Sequence, residues 1–166
     1  MQRQGRLDAL DLKLLGCLQE DNLQTADVLA EKVGRSPSAV ARRVRRLRSS
    51  GAIAADVALL SEAAAGNPLS AIVHVQLERH APQAEDGLRR RLVGSPNVQL
   101  CLDISGGFDI LLLVVAADMD AYNAFAAANL ESQPAVRRFE STFVKRRCKA
   151  TLALPLGALA PAERAG

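Results

Sequence analysis

The stretch Ser36 to Ser50, SPSAVARRVRRLRSS, holds five arginines, Arg42, Arg43, Arg45, Arg46 and Arg48, and no acidic residue. Ser36 followed by Pro37 opens a helix: a hydroxyl that can accept from an orphan backbone N–H, then a residue whose missing N–H costs nothing at the first helical position. Gly51 supplies the stop. Between them Val40, Val44 and Leu47 recur at i, i+4 and i+7, a stripe that needs an apolar core to lean on. Arg42 and Arg46 lie roughly opposite the stripe, with Ser38, Ala39 and Arg45 nearby, so one face is buried and the other cationic. Like charges without carboxylates at i+4 repel one another, and an external anion along the helix relieves them. A merely solvated basic face is the competing reading of such a run.

The segments before it decide between the two. Leu7 to Glu20 places Leu7, Leu10, Leu14, Leu15 and Leu18 on one helical face, with Asp8 and Asp11 at the favourable N-terminal end. Thr25 is the expected N-cap of a second helix, Ala26 to Val33, in which Val28, Leu29 and Val33 repeat at helical spacing and which Gly34 ends. Only Gly34 to Ser36 separate it from the arginine-rich helix, so the two cross steeply. This is the helix-turn-helix pattern, whose second helix enters the major groove of double-stranded DNA. Charge placement agrees. Residues 1–52 hold ten Lys/Arg against six Asp/Glu and residues 53–166 eleven against twelve, so the excess behind the net charge of +3 belongs to the N-terminal third.

Gly51 to Leu60 (GAIAADVALL) reads as a connecting strand, and Ser61 to Pro68 (SEAAAGNP) as a small-residue linker with Gly66, Asn67 and Pro68 as breakers. Beyond it the periodicity changes. Leu69 to Leu77 alternates as a strand; Gln83 to Val93 is helical; Val98, Leu100, Leu102 and Ile104 alternate as a second strand; and Ser105, Gly106 and Gly107 turn the chain. Phe108 to Ala116 is a continuous apolar strand and Met119 to Leu130 a helix. Val136 to Lys149 is a long last strand with Phe139, Ser141 and Phe143 on one face. The string βαββαβ is that of a ferredoxin-like sandwich, helices on one side of an antiparallel sheet. The expected class is α+β: a winged-type helix-turn-helix domain (1–52), a connecting strand and linker (53–68), a ferredoxin-like domain (69–156) and a disordered tail (157–166). An apolar outer sheet face predicts a symmetric homo-dimer.

Taken in order, LDALDLKLLGCLQED, LAEKVGRSPSAVARRVRRLRSSGAI, SGGFDILL, DMDAY and FVKRRCKATLALPL resemble the Lrp/AsnC, or feast/famine, transcriptional regulators over residues 7–156. The resemblance implies a DNA-binding regulator that dimerises through its sheet, assembles into octamers or similar rings, and binds an amino acid or related small-molecule effector between dimers. On this basis DNA contact falls on Ser36, Ser38, Ala39, Arg42, Arg43, Arg45 and Arg46. Arg42 and Arg46 are the candidates for bidentate contact to guanine, since Arg pairs with O6 and N7. Ser36 and Ser38 would bond phosphate or cap the helix, Arg43 would clamp phosphate or form an internal ion pair, and Arg45 and Arg48 would touch phosphate or nothing. The family's Gly-x-x-Asp effector motif falls on Gly106 to Asp109. Gly106 and Gly107 can offer backbone N–H groups to a carboxylate while Asp109 accepts from an amino group, although an ordinary turn capped by Asp109 explains the same residues. Glu140, Ser141 and Thr142 on the last strand are further effector candidates. Leu23 stands where many relatives have arginine, and Phe108 where many have tyrosine.

Other classes find less support. Cys17, Cys101 and Cys148 are odd in number and widely spaced, without C-x-x-C or metal-ligand spacing, so no disulfide framework, metal or cofactor is expected. MQRQGRLDALD lacks an apolar signal region and Ile110 to Ala117 is too short to span a bilayer, which makes a soluble cytoplasmic setting the expectation and a membrane partner not. Siroheme decarboxylases share the domain plan and supply the enzyme alternative. The two histidines, His74 and His80, join no catalytic constellation, and a five-arginine recognition helix has no use in such an enzyme, so no catalysis is expected.

Overall fold

The computed structural model describes residues 7–78 and 82–156; the predicted tail 157–166 and His80 lie outside them. Two compact units result, one holding residues up to Ala58 together with the segment from Ala150, the other Leu59–Lys149.

The first unit is three helices: α1 (Ala9–Glu20), α2 (Ala26–Val33) and α3 (Pro37–Ser49). Local chemistry sets every boundary. Asp8 caps α1 through the backbone N–H of Asp11, and the Asp11 side chain returns the bond to the N–H of Asp8, a reciprocal capping box. Thr25 caps α2 through Val28, and Gly34, at φ 65°, ends it in the left-handed region that lacks a steric cost only for glycine. Pro37 sits at the start of α3 and Gly51 follows its end at φ 75°. Ser36 has the expected extended backbone, but its hydroxyl caps nothing. It lies 3.4 Å from the hydroxyl of Ser38 instead.

The stripe Val40, Val44 and Leu47 closes on Leu14, Leu15, Leu18, Leu29, Ala30 and Val33. Burial of this kind contributes about 1.5–3 kcal/mol per large aliphatic side chain, enough to hold α3 despite its crowded charge. Two expected members stay out: Val28 is 42% exposed, and Leu7, which precedes the cap, is 38% exposed. Leu156 packs against this core, and the Gln19 amide both donates to the carbonyl of Leu154 at 3.1 Å and accepts from its N–H at 2.6 Å.

The expected strand over 51–60 does not form. Ile53 packs against the helices, but Val57, Leu59 and Leu60 are 70–80% exposed in irregular backbone, because no neighbouring strand accepts their ladder of hydrogen bonds.

The second unit runs β1 (Leu69–Leu77), α4 (Pro82–Val93), β2 (Val98–Asp103), β3 (Ile110–Ala116), α5 (Met119–Ala126) continued by a π-helical turn (Ala127–Glu131), and β4 (Val136–Phe143). The sheet order is β2-β3-β1-β4 with every pairing antiparallel, the ferredoxin-like arrangement. Ala71, Val73, Val75, Ile110, Leu112 and Val114 point inward against Leu88 and Leu92 of α4 and Tyr122 and Phe125 of α5.

Two strands depart from expectation. An irregularity between Val98 and Leu100 turns Val98 toward the core side of Val114 while Leu100 and Leu102 pair with the outward Leu113 and Leu111, so the alternation read from sequence does not share one face. β4 stops at Phe143 rather than Lys149 because its partner β1 begins at Leu69. The last bond of the ladder is Val144 N–H to the carbonyl of Ser70.

Candidate nucleic-acid interface and effector loop

α3 shows its stripe to the core and its remaining side chains outward, but its arginines are not equivalent. Arg42 is exposed and makes no hydrogen bond or ion pair among the described residues. Arg45 is exposed, with a long 3.4 Å contact from Nε to the carbonyl of Ala41. Arg43 donates through Nη1 to the carboxylates of Asp8 and Asp11, the latter at 2.9 Å. Arg46 donates through Nη2 to both oxygens of Asp11 at 2.7 Å. Arg48 is held by Asp56 at 2.7 Å and by the side-chain Oδ1 of Asn22 at 3.2 Å.

The helix has no acid of its own, but carboxylates from outside it hold three of the five arginines. Arg46, expected with Arg42 as a base reader, is exposed over 57% of its side chain yet tethered at its tip. Of the two readings of Arg43, the internal ion pair is the one formed. Arg43 holds the Asp8 carboxyl below the ordinary aspartate range through its hydrogen bond, and Asp8 in turn pushes the Arg43 guanidinium up. Arg48 lowers the Asp56 carboxyl in the same way.

Ser36, Ser38 and Arg35 are exposed at the start of α3, and Ala39 is half-buried. Leu10, Arg35, Ala39, Arg42, Arg43 and Arg46 line one concavity on this surface. Ala39 is a small side chain between arginines on this surface, and the exposed Arg42 presents a planar fork of N–H donors that is free among the described residues.

In the second unit Gly106 and Gly107 are exposed, and Gly106, at φ 143°, occupies backbone territory that side chains rarely adopt. Asp109 is built into the sheet. Its N–H donates to the carbonyl of Val75, its carbonyl accepts from Ile104, and its Oδ2 accepts from the N–H of Leu77 at 2.8 Å, where the β1–β4 register shifts. Oδ2 thus ties the residue across the sheet to β1 rather than capping the Ser105 to Gly107 turn, while Oδ1 receives no hydrogen bond among the described residues.

The last-strand candidates do not form one cluster. Ser141 faces α5 and hydrogen-bonds the Tyr122 hydroxyl, whereas Glu140 and Thr142 lie on the outer sheet face with Arg138, by strand alternation. Sequence reasoning missed what surrounds Glu140. Arg138 bonds Glu140 at 3.2 Å and Gln76 at 3.0 Å and lies 5.0 Å over the Phe108 ring, which also stands 5.2 Å from His74. Strand alternation could have placed His74 opposite Glu140, as the register does. Toward β2 the same face is apolar: Ile72, Leu111, Leu113 and Val115 are half-buried, and Leu100 and Leu102 are 39% and 44% exposed.

Among the described residues no group of three or more His, Cys, Asp or Glu is placed to hold a metal ion, and no helix is long and apolar enough to cross a membrane.

Comparison with known proteins adds two family matches, the Lrp/AsnC ligand binding domain over residues 70–154 and a winged helix-turn-helix DNA-binding family over residues 7–54. An uncharacterized HTH-type transcriptional regulator of Sinorhizobium fredii is 37% identical over 150 residues, 90% of this chain and 89% of its own length. The Bkd operon transcriptional regulator of Pseudomonas aeruginosa is 35% identical over 152 residues, 92% of this chain and 99% of its own. Among solved structures, a transcriptional regulator from Neisseria meningitidis in complex with L-Met superposes with a TM-score of 0.85 at 32% identity, covering 93% of this chain and 99% of that one. An AsnC family regulator from Agrobacterium tumefaciens gives 0.84 at 31% identity, over 92% and 99%.

Proposed function

The chain belongs to the Lrp/AsnC family of DNA-binding transcriptional regulators, and from that premise we propose that it reads its operator as a homo-dimer or higher oligomer through α3. The observation that carries the reading is the exposed cationic face of α3, where Arg42 and Arg45 have no carboxylate partner among the described residues. Arg42 contacts base edges, while Arg45, Ser36 and Ser38 hold phosphates and Ala39 permits the approach. Arg43 and Arg46 stand beside the duplex with their guanidinium tips engaged by carboxylates. Residues 1–52 form the DNA-binding module, 53–68 the link and 69–149 the effector and oligomerisation domain, the expected end at 156 giving way because the segment from Ala150 packs with the helices.

Two copies pair through the outer sheet face, whose half-exposed Leu100, Leu102, Leu111 and Leu113 are an apolar surface of the kind that a second copy covers. Assembly of dimers into an octamer or similar ring extends this arrangement. An amino acid is the effector class proposed for the Gly106 to Asp109 loop. Gly106 and Gly107 offer N–H donors to its carboxylate, Asp109 Oδ1 remains for its amino group, and Glu140 and Thr142 are further polar groups on the outer face. The Neisseria meningitidis regulator solved with L-Met supports this choice of class.

A gel shift with fragments from around the chain's own gene, with and without each amino acid, tests the reading. One fragment should be retained above random DNA at moderate salt, and one amino acid should change its retention. Retention no better than random DNA at every salt concentration contradicts regulation through α3, and a specific complex indifferent to all amino acids contradicts the effector assignment alone.

A further inference from the structure

Asp11 is the one buried charged side chain among the described residues, 1% exposed, yet it sits in the first turn of α1 rather than in the recognition helix. Its carboxylate gathers donors from three directions. Oδ2 accepts from its capping partner's N–H, Asp8, at 3.2 Å; Oδ1 accepts from Arg43 Nη1 at 2.9 Å; and both oxygens accept from Arg46 Nη2 at 2.7 Å. The bonds to α3 join residues 32 and 35 positions apart in the chain.

The atom used on Arg46 matters. A guanidinium presents two outward donor pairs to guanine or phosphate, an end-on pair of Nη1 with Nη2 and a lateral pair of Nε with Nη2. Nη2 belongs to both. While it donates to the two oxygens of Asp11, Arg46 keeps single donors but has no bidentate edge to offer. Arg43 is engaged at Nη1, which removes its end-on pair, and the side chain that carries its lateral pair is only 27% exposed.

We propose that Asp11 is a specificity-determining residue for DNA recognition: it withholds both forks of Arg46 and the end-on fork of the mostly buried Arg43 from the duplex and so leaves bidentate base reading to Arg42. The proposal rests on α3 being the DNA-reading helix. The physical logic is that of discrimination by subtraction. Each unpaired arginine near the backbone strengthens binding to every sequence alike through counterion release, and specificity is the difference between operator and random DNA. The buried carboxylate competes with phosphate for these donors at every sequence, whereas Arg42 makes no bond to it or to any other described residue.

The test uses the full chain, the duplex it selects from a random-sequence pool, and a scrambled duplex of equal composition. Asp11→Asn keeps the shape and an acceptor but removes the charge. It should bind the scrambled duplex more tightly, on the order of tenfold at low salt, with a log–log salt dependence steeper by about 0.9 for each arginine released per protomer. Its preference for the selected duplex should shrink by a similar factor. Arg46→Ala, which leaves Asp11 bonded to Arg43 and to the N–H of Asp8, should leave the selected base profile unchanged, whereas Arg42→Ala relaxes it. An unchanged salt slope in a folded Asp11→Asn, or loss of a guanine preference in Arg46→Ala, overturns the proposal; the second arm stands even where Asp11→Asn does not fold. A wild-type chain that selects no sequence from the pool overturns the DNA-reading premise as well, and is distinguishable from both.

Discussion

Asp109 is where the fold and the effector site compete for one side chain. Its Oδ2 receives the N–H of Leu77 at 2.8 Å at the irregular point of the β1–β4 ladder, where Leu77 is 8% exposed. A hydrogen bond to a charged group of this kind contributes about 1.5–3 kcal/mol. Asp109→Ala leaves that N–H unsatisfied and should lower the melting temperature of the sheet unit by roughly 10 °C, at about 4–8 °C per kcal/mol for a domain of this size. The residue-level assay is amide hydrogen exchange, in which the Leu77 amide should lose protection by about ten- to a hundredfold, as the same free energy converts.

Asp109→Asn retains an acceptor and should cost about half as much, because charge-assisted bonds are about twice as strong as neutral ones. If Oδ1 receives an effector's amino group, Asp109→Asn should abolish the amino-acid response while the chain remains folded and bound to DNA. Unchanged Leu77 exchange in Asp109→Ala, with a melting temperature within about one degree of wild type, would refute the structural role; the same reasoning predicts little effect of Ala at the exposed Thr142.

Leu47→Ala empties a site that is 1% exposed between α3 and the other helices, and should destabilise the helical unit by about 2–5 kcal/mol, read as a lower urea midpoint for helix loss. Asp8 supplies an acid-dependent part of the same stability. Its carboxyl is lowered by Arg43, so the contribution is complete above the ordinary aspartate pKa of about 3.9 and disappears as pH falls below it. Asp8 is half exposed, so the amount is below about 1 kcal/mol, and Arg43→Ala should flatten the urea midpoint against pH between about pH 5 and pH 2.

Much of this organisation is legible in the residues because it is local. The i, i+4, i+7 recurrence of Val40, Val44 and Leu47, the Thr25 cap and the Gly34 stop each express short-range chemistry, and each appears where the spacing puts it. The βαββαβ order follows for the same reason, from the change of period at Leu69. What failed depends on partners distant in sequence. The 51–60 segment has strand composition but no adjacent strand, and β4 ends where β1 runs out rather than where its own apolar pattern does. Asp8 and Asp11 look like ordinary helix-start acids until folding brings α3 across them, and only then do the five arginines separate into held and unheld. Ser141 is a different case. Its place on the α5 face was already implied by Phe139 and Phe143, and grouping it with Glu140 and Thr142 overlooked the period of two.

Base selection by α3 is tested most directly by recovering preferred duplexes from a random-sequence pool with wild type, Arg42→Ala and Arg48→Ala. Wild type should enrich a two-fold symmetric site, as expected of a dimer. Arg42→Ala should lose discrimination at one or two positions in each half-site, at about 1–3 kcal/mol, while Arg48→Ala, whose guanidinium is held by Asp56 and Asn22, should lower affinity evenly and keep the profile. Equal losses for both variants without any change in the preferred bases would contradict base reading by Arg42.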